Sequence, residues 1–218
     1  YKKGKRDGLW TWWYESGQKE REENWKDSKM MSVEAWKPNG EKCPVTNVKD
    51  GNGVIVNYYE DGQKAEETNY KEGKRDGLST EWYPNGQKKW ETNYKKGKRD
   101  GLWSWWYDNG QKSKEENYKD GKRDGLYTEL YENGQKKDER NYKYGKLDWL
   151  AIEWYENGQK KAEENWKDNK LMSAEVWKPD GEKCPETNIK DGNGVSVSYK
   201  EDGTERGRYT YKDGVQVD

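Results

Sequence analysis

Four Gly-Lys-Arg-Asp-Gly segments, at residues 4–8, 73–77, 97–101 and 121–125, are the first places in this sequence where residue type and spacing suggest chemistry. They carry the basic pairs Lys5/Arg6, Lys74/Arg75, Lys98/Arg99 and Lys122/Arg123, read here as loops along one edge of a sheet. Such a row would draw acidic head groups at about 1 kcal/mol per basic residue near a charged surface. Asp7, Asp76, Asp100 and Asp124 offset one charge in each segment, and the glycines lack the spacing of a phosphate-cradling loop. A second set is the carboxylates Glu22, Glu67, Glu91, Glu115, Glu139 and Glu163, each five residues after a turn glycine. Acid–base catalysis needs two carboxylates in different environments. Equivalent copies beside lysines read instead as a solvated ladder. Asn24, Asn47, Asn69, Asn93, Asn117, Asn141, Asn165 and Asn188 also recur in register, as expected of side chains that satisfy backbone groups at strand ends.

Histidine is absent, which removes the commonest general base and the commonest metal ligand. Cys43 and Cys184 lie six repeat units apart, roughly 55–60 Å along a straight array at about 4.8 Å per strand. A disulfide needs Cα atoms within about 7 Å, so two free thiols are expected. They lean towards a reducing, cytoplasmic compartment and leave the cell surface open. No catalytic residue, metal or cofactor is expected.

The remaining candidates are aromatic. Trp10, Trp12 and Tyr14 alternate with Leu9, Thr11 and Trp13, and Trp103, Trp105 and Tyr107 repeat the pattern. With the Leu–Thr–Trp side taken as the core, these six form either an exposed aromatic patch suited to recognition or a second packed face.

The elements that must position these side chains are repeats. Turn glycines fall at Gly17, Gly40, Gly62, Gly86, Gly110, Gly134, Gly158, Gly181 and Gly203, spaced 22 to 24 residues, which gives nine units. Each reads as a β-hairpin: an alternating strand such as 78–83, an Asn-Gly or Asp-Gly tight turn, a polar strand ending on an aromatic, and a longer glycine-containing loop. The expected fold is all-β, an elongated array of about nine antiparallel hairpins in one twisted continuous sheet. Hydrophobic residues make up only 28% of the 218, so no thick apolar core is expected, and 14 Trp and 17 Tyr must supply most of the burial. No apolar run approaches the roughly 18 residues of a membrane-spanning helix. The formal charge of −1 argues against a nucleic-acid partner.

Segment 23–54 reappears at 164–195, offset by 141 residues. The organisation is read as 1–54, first hairpins ending in an atypical Cys-containing unit; 55–163, four to five regular repeats; and 164–218, a second atypical Cys-containing unit with a capping hairpin. Duplication accounts for the two atypical units, and a bend or joint near 36–54 is the alternative. Tyr1 aligns with Tyr70, Tyr94 and Tyr118, so the chain is expected to open in mid-repeat. Trp149 stands where the other units carry glycine.

The consensus Gly-x-Trp-x-x-Trp-Tyr-x-Asn-Gly-Gln-Lys-x-x-Glu-x-Asn-Tyr-Lys-x-Gly-Lys resembles the MORN repeat, in the bacterial variant of YwqK-type antitoxin proteins. The resemblance implies a hairpin-by-hairpin sheet, and a non-catalytic scaffold that binds a protein partner, with a toxin as its specific form. Carbohydrate or phospholipid head-group binding, and self-assembly through exposed sheet edges, are the other readings.

Overall fold

The computed structural model describes residues 4–217, so the reading of Tyr1 lies outside the described residues. All its regular elements are β-strands, and none of the described residues forms a helix long and apolar enough to cross a membrane. Strands β1 (Gly8–Trp13), β2 (Lys19–Lys26) and β3 (Lys29–Ala35) form one antiparallel sheet. An eleven-stranded sheet follows in consecutive order, open and not closed into a barrel. It begins with β4 (Gly53–Tyr58), β5 (Lys64–Lys71), β6 (Lys74–Trp82), β7 (Lys88–Lys95) and β8 (Lys98–Trp106). It continues with β9 (Lys112–Lys119), β10 (Lys122–Leu130), β11 (Lys136–Lys143), β12 (Lys146–Trp154), β13 (Lys160–Lys167) and β14 (Lys170–Val176). The last sheet holds β15 (Gly194–Tyr199), β16 (Glu205–Lys212) and β17 (Val215–Gln216). The continuous sheet of the sequence reading is therefore interrupted twice, at the two atypical Cys-containing units. The chain divides into two compact units, Tyr1–Gly110 and Gln111–Asp218.

All nine expected turn glycines sit in the same turn. Gly86 N–H donates to the Tyr83 carbonyl at 2.9 Å with Gly86 at φ +81°, while Asn85 stays in the ordinary region and its side chain accepts Gln87 N–H. This is a type I turn closed by a left-handed glycine, a five-residue connection. The tightest hairpins are elsewhere. At Glu72-Gly73, Lys96-Gly97 and Tyr144-Gly145 both residues have positive φ, +52° and +73° in the first, the signature of a two-residue type I′ turn. The short and long connections are thus the reverse of the sequence reading. Asn-Gly reads as a tight turn because Asn tolerates positive φ, but here Asn spends its side chain on the turn backbone instead. One consequence is that Lys-Arg-Asp-Gly is not a loop; its residues open strands β6, β8 and β10.

Successive hairpins are tied by side chains as well as by ladder hydrogen bonds. The hydroxyls of Tyr14, Tyr83, Tyr131 and Tyr155 donate to the carbonyls of Trp36, Trp106, Trp154 and Trp177 at 2.8–2.9 Å, and Tyr59 donates to Trp82 in the same way. The glutamate ladder is structural: Lys19–Glu22, Lys64–Glu67, Lys88–Glu91, Lys112–Glu115, Lys136–Glu139 and Lys160–Glu163 pair at 2.5–2.7 Å. The asparagines act on backbone too, with Asn69, Asn117 and Asn141 donating to the Leu78, Leu126 and Leu150 carbonyls.

At the first sheet break, Met30, Val33, Val48 and Ile55 form one buried cluster, and Ala35, Cys43 and Val56 another. At the second break the matching residues Leu171, Ala174 and Ile189, and Val176, Cys184 and Val197, do the same. The aliphatic core is therefore concentrated at the joints. Cys43 and Cys184 are free and buried there, with Cys43 Sγ 3.3 Å from the Tyr58 hydroxyl and Cys184 Sγ accepting from Tyr199 at 3.2 Å.

Candidate functional site

Alternation along each strand divides the sheet into two faces, and the expected core face is the more exposed at its leucines. Leu9 is 66% exposed, and Leu78, Leu102, Leu126 and Leu150 are also exposed. Past the leucine positions both faces are covered: Val56, Thr80 and Ser104 are buried on the leucine side, and a continuous row is buried on the opposite side. In the first unit Ile55, Thr68, Ser79, Thr92 and Trp103 pair across β4 to β8 and are all buried. The reason is size contrast: Trp90 and Tyr94 flank the small Thr92 on its own face, and rings of that size overhang a row of Ser and Thr. Leu78, Leu102, Leu126 and Leu150 are the central residues of nine-residue strands, and Leu78, Leu126 and Leu150 lie opposite asparagines, which leave them uncovered.

The six aromatic candidates lie on the side opposite the leucines. Trp103 is buried, Tyr14 is buried, and Trp10, Trp12, Trp105 and Tyr107 are half-buried. Trp103 and Trp105 stack at 4.2 Å with planes 20° apart, Trp90 meets Trp103 edge-on at 6.0 Å, and Trp10 and Trp12 stack at 6.3 Å. Burial, with Glu20 and Glu60 nearby, raises the Tyr14 phenol to about 12.

The basic candidates separate by alternation. Arg75, Arg99 and Arg123 turn onto the aromatic face, while Lys74, Lys98 and Lys122 are exposed. Arg99 lies 3.3 Å over the Trp103 ring, Arg75 5.4 Å over Tyr94, and Arg123 5.7 and 5.2 Å over Tyr127 and Tyr142. Arg6 packs against Trp10 and Trp25 at 5.4 and 5.0 Å, and Lys5 pairs with Asp27 at 3.7 Å. One basic row is therefore replaced by an arginine–aromatic stack and a separate lysine fringe. The aspartates serve the backbone: Asp76 and Asp124 accept the N–H groups of Lys96 and Tyr144, one hairpin further on.

In the second unit the same face carries charge. Glu116, Tyr127, Arg140, Ala151, Glu164 and Ala174 pair across β9 to β14. Glu116 is 1% exposed and bonds Arg123 at 2.9 Å and the Tyr118 hydroxyl. Burial works against its charge, but Tyr118, Lys114 and Arg123 together hold it below the ordinary glutamate value. Asp138 goes the other way: burial, with Glu153 adding repulsion, outweighs Arg140 and lifts it from 3.8 to about 6. A folded-state value above the unfolded one means that its stabilising share is complete below pH 3.8 and disappears as pH rises through 6. We expect Asp138→Asn to flatten the fall in unfolding free energy between pH 4 and 7, read by urea titrations across that range.

Trp149 occupies the position held by Gly77, Gly101 and Gly125, at φ +78° and 69% exposed. A bulky side chain there is strained by roughly 1–2 kcal/mol. Trp149→Gly should therefore stabilise the fold by about 1 kcal/mol, visible as a raised thermal midpoint. Among the described residues, no three His, Cys, Asp or Glu side chains gather at metal-binding distance.

An open meander of hairpins, repeated every 22 to 24 residues and tied by Tyr-to-carbonyl bonds one repeat apart, defines a β-hairpin repeat protein. The chain belongs to the MORN repeat variant family, which matches residues 6–27, 52–72, 75–96, 99–120, 123–144 and 150–168, more than half of its length. The two Cys-containing units and the last hairpin lie outside those segments. No curated protein matches the chain.

Proposed function

We propose that this protein is a non-catalytic scaffold that binds a protein partner through its arginine–aromatic face, in the form of a toxin-neutralising antitoxin or immunity protein. One observation carries the reading: Trp12, Trp105, Arg75 and Arg99 are half-buried and fixed by stacking, so they offer preorganised side chains of the types that dominate protein interfaces. The resemblance to YwqK-type proteins supplies the toxin as partner, and the absence of histidine fits occlusion rather than catalysis. Recognition by the six aromatics Trp10, Trp12, Tyr14, Trp103, Trp105 and Tyr107 is part of the proposal. The exposed lysines Lys5, Lys74, Lys98 and Lys122 take a subordinate part in it.

The carbohydrate reading is weaker, because sugars stack on free ring faces and those of Trp103 are occupied by Arg99 and Trp105. Phospholipid binding loses its continuous basic row for the reason given above. The test is co-expression with the products of adjacent genes. A toxic neighbour whose growth inhibition is relieved, and which co-elutes with the chain, is the expected result. Neighbours that neither inhibit growth nor form a complex would contradict it.

A further inference from the structure

Between the first sheet and strands β4 to β6 the first unit holds a crevice of about 330 Å³. Three guanidiniums line it, those of Arg6, Arg21 and Arg75, with the rings of Trp12, Trp25 and Tyr70. Two carboxylates, Glu23 and Glu66, face them. Arg21 donates to Asn57 Oδ1 at 3.0 Å and Arg75 to the Tyr94 hydroxyl at 3.3 Å, but their pairing with the carboxylates is incomplete. Arg21 Nε lies 3.1 Å from Glu23, but off the hydrogen-bonding direction, so its buried N–H lacks an aligned acceptor. Glu23 already accepts the Trp25 indole N–H at 2.8 Å. Arg75 reaches Glu66 only at 3.5 Å, and Glu66 also receives the Asn57 amide. Arg6 has two ring contacts and no carboxylate partner among the described residues.

The fold does not require these arginines. The 141-residue duplication places a matching crevice of about 220 Å³ in the second unit, with Glu164, Ser198 and Tyr211 where the first has Glu23, Asn57 and Tyr70. There the three arginine positions are Leu147, Ala162 and Gln216, and Trp12 is replaced by Glu153. The second crevice carries Lys161 and Arg206 beside Glu153 and Glu164, two cations to two carboxylates. The same strands, turns and joint form with no arginine at these three positions, so holding the joint together does not explain the extra guanidinium of the first crevice.

We infer that the first crevice is a binding site for a carboxylate side chain of an acidic peptide segment, the anchor by which a protein partner docks. This rests on the protein-binding reading above. Three guanidiniums against two carboxylates leave one uncompensated positive charge, which a single carboxylate balances. A phosphate dianion would instead be pressed against Glu23 and Glu66. The Trp12 and Trp25 rings favour an apolar residue beside the acid, which a peptide supplies.

The test is selection of a displayed random twelve-residue peptide library on the full chain, followed by affinity measurement on the selected peptides. They are expected to share an Asp or Glu beside an apolar residue, and to lose at least tenfold in affinity when that acid becomes its amide. A triple variant carrying the residues of the second copy, Arg6→Leu, Arg21→Ala and Arg75→Gln, should lose at least tenfold with an unchanged circular dichroism spectrum. Arg6→Leu alone breaks no ion pair, so it keeps the test valid if the triple variant misfolds; it should lose about threefold. Arg208→Gln, on the surface of the second unit, should change nothing. Selected peptides without acids, equal binding by the variants, or competition by inorganic phosphate as strong as by the acidic peptides would each overturn the site. A neutralised toxin still held by the triple variant would overturn the crevice while leaving the scaffold reading intact.

Discussion

Gly51→Ala is expected to cost the fold about 3 kcal/mol or more, enough to leave a marginal domain largely unfolded. Gly51 sits at φ +77°, and a Cβ there would lie 2.5 Å from Gly73 N and 3.0 Å from the Met30 carbonyl. Both are backbone atoms held in place: Gly73 N–H donates to Gly51 at 2.8 Å, and Gly51 N–H donates to Met31 at 3.0 Å. The added methyl group would have to pry the first sheet from β5 and β6 at the joint. Gly192, its counterpart, would meet Gly214 N at 2.6 Å and should behave alike. Gly17→Ala is the control, since Gly17 has φ +82° with nothing within 4 Å. It should cost only the left-handed penalty, about 1–2 kcal/mol. Urea midpoints of the three variants measure the difference, and equal losses would refute the joint as a close backbone contact.

Glu116→Ala is the second large effect, expected at about 3–5 kcal/mol, the usual range for removing one partner of a buried ion pair. It strips Arg123 of its carboxylate under the Tyr127 and Tyr142 rings and removes the acceptor of the Tyr118 hydroxyl. The double variant Glu116→Leu with Arg123→Leu should recover much of the loss, because no lone charge remains in the stack. The pH dependence has the opposite sign to that of Asp138. A carboxyl held below its unfolded value of 4.5 contributes stability that is present above that value and lost as pH falls through its folded one. Acid titration of Glu116→Ala should therefore lack part of the destabilisation of the parent chain at low pH.

The repeat grammar made much of this fold legible. The nine glycines spaced 22 to 24 residues apart mark nine turns because a left-handed residue closes each one, and the Lys–Glu ladder follows from equivalent residues in equivalent settings. Two features were hidden for physical reasons. The two-residue turns use Lys96 and Tyr144 at positive φ, residue types with no such preference, imposed by the pairing of the flanking strands. Residue type alone does not rank burial along a strand: Leu78 lies exposed while Thr80 on its own face, and Ser79 and Thr92 on the other, are buried. The orientation of Arg75, Arg99 and Arg123 follows from the same point. Once Lys-Arg-Asp is strand rather than loop, alternation sends lysine and arginine to opposite faces. The arginine crevice needed coordinates, since Arg6, Arg21 and Arg75 belong to three different strands or their approaches.

Recognition by the arginine–aromatic face is tested most directly by measuring the affinity of a partner recovered by co-expression for variants of each face. Trp12→Glu and Trp105→Glu install the residue that other repeats carry at the same position, as in Glu81, Glu129 and Glu153. Leu78→Glu and Leu102→Glu alter the opposite face. We predict that the two tryptophan variants bind at least tenfold more weakly while the two leucine variants bind like the parent chain. Full binding by the tryptophan variants, with loss confined to the leucine variants, would place recognition on the other side of the sheet and contradict the account.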